Sequence, residues 1–298
     1  MQQESSPQGL AAGVAAYTIW GLAPLYFYLL KGISAPEILA HRVIWSALLA
    51  IILVLALKKA PTMIATLRKH STMGWLAVST VLITVNWLIF IWAVTSNKIL
   101  DASLGYYINP LFNVVLGVLV LGERMRPLQW LAVIIAACGV AYEIIGFGRV
   151  PLVALALAGT FGLYGLIRKQ APVDSLTGLA IETLMLVPLA LGFLFFSTSP
   201  TSNLAENSAS TNALLMAAGP ITLVPLLLFT VAARRLKLST LGQLQYIGPT
   251  LMFMLALFYF DSDFEPRKLV TFGLVWTGIA LFTAESIWRQ RRLRKPAS

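Results

Sequence analysis

The chain has 298 residues, of which 58% are hydrophobic and only 11% charged, and a formal net charge of +10. A soluble domain carries about 25% charged residues, so this chain lacks the charge to cover a water-facing surface. The composition excludes a soluble fold and indicates an all-α polytopic membrane protein, with the lipid bilayer as its first partner. The cationic residues sit in short clusters between apolar blocks, which reads as topology information rather than as a nucleic-acid face.

A bilayer core of about 30 Å needs roughly 20 apolar residues per helix. Cutting the chain at charges, Pro and Gly gives ten such blocks, near 9–30, 36–57, 74–94, 101–121, 128–146, 150–167, 175–196, 213–232, 240–260 and 268–288. The start, MQQESSPQG, has no Lys or Arg ahead of the first block, so that helix is expected to be retained and not cleaved as a signal. The longest connection, 197–212, is rich in Ser, Thr and Asn and reads as an exposed loop, and 289–298 reads as a basic tail. Sixteen Lys and Arg fall in the connections after the second, fourth, sixth and eighth blocks and in the tail. Five (Lys31, Lys98, Arg149, Arg267 and Lys268) fall in the alternate set. The positive-inside rule then puts both termini in the cytoplasm. The single cysteine, Cys138, can form no internal disulfide.

The fourth and ninth blocks share a motif. YINP at 107–110 resembles YIGP at 246–249, an offset of 139 residues. The same offset pairs Lys98 with Lys237, Pro127 with Pro266 and Gly139 with Gly278, while Glu37 faces Asp174 at 137. The chain thus divides into a first five-helix repeat, 9–146, and a second, 150–288. An odd number of helices per copy forces the second copy to enter the membrane from the opposite side, giving an inverted repeat, a plan common among transporters. Pro110 and Pro249 are each the tenth residue of their block. At 1.5 Å per residue both lie roughly 15 Å deep, near the midplane. Each proline removes a backbone hydrogen bond, and a pair of disturbed helices at that depth points to a substrate site.

Ionisable groups inside a span are candidate site residues. Arg42 suits an anion or carboxylate; the structural alternative is an ion pair with Glu143. His41 suits proton exchange, or else a hydrogen bond between helices. Glu182 is a candidate proton carrier, or else a partner for Arg168 or Lys169. Asn109 and Gln245 flank the midplane prolines and, with Asn86, are candidate solute contacts. Tyr106, Tyr107 and Tyr246 are candidate cavity walls. Gly159, Gly162 and Gly165 suit close helix packing. Glu123 and Glu285, near cytoplasmic ends, read as structural or topogenic. No phosphate-binding loop is present, so ATP is not expected to drive the protein directly. Two histidines and one cysteine make a metal site unexpected, and no cofactor or enzyme activity is expected.

The stretch LGYYINPLFNVVLGVLVLGERMRPLQWLAVIIAACGV, closing the first repeat, resembles the drug/metabolite transporter superfamily in its EamA branch. EILAHRVIWS, LYGLIRK, GLAIET and VPLLLFTVAARRLKLSTLGQLQYIGPTLMF resemble, more narrowly, the RarD group of bacterial permeases. Helix nine ends in FDSDFEP, where many relatives carry a Glu directly after a Gly. The resemblance implies a ten-helix inner-membrane carrier for a small amphipathic drug, amino acid or other metabolite, working by alternating access. By analogy it implies export coupled to protons. An uncoupled facilitator or importer, more remotely a non-transporting membrane scaffold or sensor, and a homodimeric assembly stay open.

Overall fold

A computed structural model describes residues 6–95, 99–148, 150–197, 199, 201–259 and 266–294. Among them it contains twelve α-helices and no strand: α1 (Pro7–Leu29), α2 (Ala35–Ala56), α3 (Ala60–Leu67), α4 (His70–Thr95), α5 (Ile99–Leu119), α6 (Pro127–Phe147), α7 (Leu152–Gln170), α8 (Ser175–Phe196), α9 (Ala209–Arg235), α10 (Leu238–Gln245), α11 (Ile247–Phe258) and α12 (Pro266–Arg294). Eight of these are long and apolar enough to cross a membrane by length and composition. The chain is therefore a helical polytopic membrane protein. The blocks that fall short among the described residues are the two that carry the YINP and YIGP motifs: α5, with an apolar run at Leu104–Leu119, and the ninth block, divided into α10 and α11. The FDSDFEP ending of the ninth block falls almost wholly outside the described residues.

Three boundaries differ from the sequence reading. The connection after α2 contains the short helix α3, begun by Pro61 in its first turn, a position where proline costs no helical bond. Eight residues cannot span a bilayer, so hydropathy did not find it. At the other end, α12 continues through Arg294, which makes most of the expected tail helical: no Gly or Pro interrupts the chain between Gly278 and Pro296. The ninth block breaks at Tyr246, between α10 and α11. Proline alone does not explain this break. Helix α5 continues through Pro110, α8 through Pro188 and α9 through Pro220 and Pro225. In the ninth block Gly248 stands directly before Pro249, adding glycine's weak helix propensity to the lost bond at Gln245. Pro249 then falls in the first turn of α11, where its missing N–H is not needed.

Packing joins the two halves of the chain. Helix α6 lies on α12, α1 on α9 and on α10 and α11, α5 on α7 and α10, α2 on α8 and α9, and α4 on α7 and α8. Lipid tails compete for apolar surface, so such contacts rely on close fit and small residues. Where α6 meets α12, a Cβ on Gly139 would stand 3.0 Å from the Thr271 carbonyl and one on Gly278 2.6 Å from that of Ala132. Gly162 holds α7 close to α5, since a Cβ there would lie 2.6 Å from the Phe112 ring. The closest approach to backbone among the described residues joins α5 to α10, where a Cβ on Gly242 would stand 2.5 Å from the Pro110 carbonyl oxygen. Backbone cannot yield as a flexible side chain does, so Gly242→Val is expected to cost about 1–3 kcal/mol through overpacking. A lowered thermal midpoint in detergent checks this. Gly273→Ala is the control, because nothing lies within 4 Å of that position.

Polar ties cluster at the end where α2 stops and α8 begins. Lys59 bonds Asp174 at 2.7 Å. Partial burial alone would raise the Asp174 carboxyl, but the bonds from Lys59 and Thr177 and the Lys59 charge outweigh it and hold the group below the usual carboxylate range. Glu123 accepts from the backbone N–H groups of Leu238 and Ser239 at 2.6 and 3.0 Å, satisfying the first turn of α10. Arg126 pairs with Glu285, which also accepts from Gln129 at 3.0 Å. The structural reading of Glu123 and Glu285 therefore matches their contacts.

Candidate functional site

The residues around Arg42 come from five helices. Arg42 on α2 is half-buried, and its Nε donates to Thr222 Oγ1 on α9 at 2.8 Å. Its guanidinium carbon lies 5.7 Å from the Phe27 ring centroid on α1 and 5.4 Å from that of Trp87 on α4. The hydroxyls of Tyr26 and of Tyr106 on α5 are within electrostatic reach. Helices α2 and α9 meet closely just below. Ser46 Oγ donates to the Gly219 carbonyl at 3.1 Å, and a Cβ on Gly219 would stand 2.7 Å from Trp45. No carboxylate pairs with Arg42 among the described residues. The Glu143 pairing is not formed, since Glu143 accepts from Thr271 Oγ1 at 2.7 Å instead. An intramembrane cation held by one hydroxyl and two ring faces keeps most of its guanidinium donors for another acceptor.

The other candidates divide by direction. Asn109 lies three residues beyond Tyr106, on the same side of α5; it is buried, and its Oδ1 has no partner among the described residues. Pro110 turns its carbonyl to Gly242. Gln245 accepts from Asn113 Nδ2 at 2.8 Å, a buried tie between α10 and α5. Tyr107 and Tyr246 face away from Arg42. Tyr107 packs on Phe272 at 5.7 Å, and Tyr246 is 1% exposed among Ala136, Val275 and Ile279 of α6 and α12. Adjacent helical residues point about 100° apart, so Tyr106 and Tyr107 could not share a wall. Asn86 gives its amide N–H groups to the Leu157 carbonyl and Thr160 Oγ1, both at 2.9 Å, tying α4 to α7. Buried Pro249 lies in α11, whose neighbour Gly248 faces Gly21 of α1.

Glu182 and His41 stand in different surroundings. Glu182 is 2% exposed and accepts from Ser79 Oγ on α4 and from Tyr164 on α7 at 3.4 Å. Arg168 Nη1 lies 3.5 Å away, and Arg168 is fully buried. The Arg168 partner weighed from sequence is thus present. Gly178 leaves the room for it, since a Cβ there would stand 2.3 Å from Nη1. His41 is 2% exposed, and its Nε2 has no partner among the described residues. One turn before it, Glu37 is fully buried, accepts from Ser199 Oγ, and has no partner for its second oxygen among the described residues. Sequence reasoning used Glu37 only as a marker of the repeat. The available signal was its i, i+4 spacing to His41 at the head of an apolar helix.

Comparisons with known proteins agree along the whole chain. Residues 7–143 match the EamA-like transporter family. Protein RarD of Escherichia coli (strain K12) is 48% identical over 296 residues, covering 99% of this chain and all of that protein. An uncharacterized transporter of Vibrio cholerae is 47% identical over 96% of this chain and 95% of its own length. A chloramphenicol-sensitive protein RarD of Pseudomonas aeruginosa is 32% identical over 98% of both chains. A solved crystal structure, at 20% identity, superposes with a TM-score of 0.73 over 95% of this chain and 99% of that one.

Proposed function

Because the chain belongs to the EamA-like transporters, among the RarD-type permeases, we propose that it is a secondary carrier of the bacterial inner membrane. It moves a small amphipathic solute by alternating access and holds an anionic group of that solute at Arg42. The observation that carries this reading is the Arg42 environment: an intramembrane guanidinium without a carboxylate partner among the described residues, flanked by Phe27, Trp87, Tyr106 and Thr222 from helices of both halves. Anion recognition uses the fork of guanidinium donors, and the flanking rings suit an apolar or aromatic body.

The carrier has ten spans in two inverted five-helix halves, 9–146 and 150–288, with both termini cytoplasmic. The packing scheme supports this. Exchanging each helix for its counterpart turns α1 on α9 into α7 on α4, α2 on α9 into α8 on α4, and α5 on α7 into α10 and α11 on α1, all of which occur. Of the remaining pairs, α6 with α12, α2 with α8 and α5 with α10 each join counterparts, whereas α7 on α9 has no α1–α4 packing of similar extent to match it. Such symmetry allows one half to rock against the other around a fixed site. Asn109 against Gly248 breaks it, leaving the polar selectivity at that level to the first half.

Transport is export coupled to proton entry. Flux of labelled aromatic carboxylates from proteoliposomes, with and without an imposed pH gradient, tests this. The expected result is efflux that accelerates when the receiving side is acid. Movement indifferent to the gradient identifies an uncoupled facilitator and rejects the coupled reading.

A further inference from the structure

We propose that Glu37 and His41 form a proton-binding dyad at the N-terminal end of α2, reached from the α8–α9 loop through the hydroxyls of Thr201 and Ser199. The inference rests on the transport reading and gives its proton a place.

Both side chains are removed from solvent, at 0% and 2% exposure, and each carries an atom without a partner among the described residues: Glu37 Oε1 and His41 Nε2. Trp45, one further turn along, likewise has an Nε1 without a partner among the described residues. A buried polar atom left unbonded costs free energy, so three on one helix face at i, i+4 and i+8 form a polar stripe that packing alone does not explain. A carboxylate in the first turn is favoured by the helix dipole, which accounts for Glu37 but not for the imidazole beside it. The hydroxyl path is continuous. Thr201 Oγ1 lies 3.3 Å from Ser199 Oγ, and Ser199 Oγ donates to Glu37 Oε2. Thr201 and Ser199 are both half-buried, so the path begins where water reaches.

Among the described residues, the surroundings leave the dyad as the titrating unit. Glu37 lies one turn before His41 on the same face of α2. Around this part of α2, α8 supplies Leu186, Val187, Ala190 and Leu194, and α4 supplies Trp87. Gly219 and Thr222 come from α9. None of these titrates. Arg42 follows His41 on α2 but turns to Phe27, Trp87 and Thr222. Glu182 is less suited to the task, because Arg168, Ser79 and Tyr164 already engage it.

The transfer makes and breaks only O–H and N–H bonds. Ser199 passes its hydroxyl proton to Glu37 and takes another from the loop side, and Glu37 passes a proton to the His41 ring. Discharge to the opposite side restores the neutral ring. Placing this beside Arg42 links the protonation state to the solute site through α2.

The chain has only two histidines, so ¹⁵N-histidine NMR of the full-length protein in nanodiscs resolves His41 once His70→Gln identifies the other signal. The expected result is a His41 signal that passes from neutral to imidazolium between about pH 8 and 5. Its midpoint should be displaced by about one pH unit in Glu37→Gln, and by less in Ser199→Ala, which keeps the carboxylate. A ring that stays neutral throughout, or a midpoint unmoved by Glu37→Gln, overturns the dyad. Hydrogen exchange on the same samples separates this from the transport reading. Opening at both ends of the bundle, with the balance moved by pH in wild type but not in Glu37→Gln, supports the proposal. Opening at both ends that ignores pH overturns the dyad and leaves the carrier standing. Opening at neither end removes the carrier itself.

Discussion

Replacing Arg168 with methionine is expected to destabilise the protein by about 3–5 kcal/mol, the usual cost of removing one partner from a buried ion pair. Arg168 is fully buried, its Nη2 donates to the Ser175 carbonyl at 3.1 Å, and Glu182 lies 3.5 Å from its Nη1. Without the guanidinium, Glu182 keeps only the Ser79 and Tyr164 hydroxyls. Arg168→Met combined with Glu182→Met should be far milder, because replacing both members by apolar groups is often neutral or better. Unfolding in nanodiscs measures both variants. A single variant no less stable than the double would reject coupling between the two residues. The Lys59–Asp174 bond is the contrast. Its side chains are 37% and 34% exposed, so breaking it should cost no more than about 1 kcal/mol.

The same pair marks how far sequence carries. That a carboxylate seven residues into an apolar block needs a partner follows from the cost of a charge in lipid. Arg168 was one of two cations that could supply it; the choice depended on Gly178, whose missing Cβ leaves the space. The span pattern was legible because each helix must satisfy its own backbone in lipid. The short helix α3 was not, being too small to carry a hydropathy signal. The two proline motifs were legible as a pair, but their different outcomes were not. A continuous α5 and a divided α10 and α11 follow from the neighbour of each proline, Asn109 in one and Gly248 in the other. Side-chain direction was least legible. Tyr106, Tyr107 and Tyr246 looked equivalent by composition, and only Tyr106 comes near Arg42, because helical phase against packed neighbours decides where each ring goes. Thr222 carried no mark at all, since a threonine in an apolar helix usually bonds its own backbone.

Arg42→Gln is expected to leave the fold nearly intact and to reduce solute flux by about 100-fold. The two effects separate because of what Arg42 touches. Its single hydrogen bond to a described residue, to Thr222 Oγ1 at 2.8 Å, is worth about 1.5–3 kcal/mol at most for a charged donor. A glutamine amide can replace part of it, and no carboxylate is left without a partner. Loss of a charge-assisted anchor to a bound anion typically costs 2–5 kcal/mol, and about 1.4 kcal/mol is tenfold. Arg42→Lys discriminates further. It keeps the charge but loses the fork and the stacking between Phe27 and Trp87, so it should retain more flux than glutamine while remaining well below wild type. Comparing efflux of aromatic carboxylates with that of their neutral amides completes the test. Arg42→Gln should lower carboxylate flux and leave amide flux little changed. Equal loss for both would mean that Arg42 supports the helix packing rather than the anion.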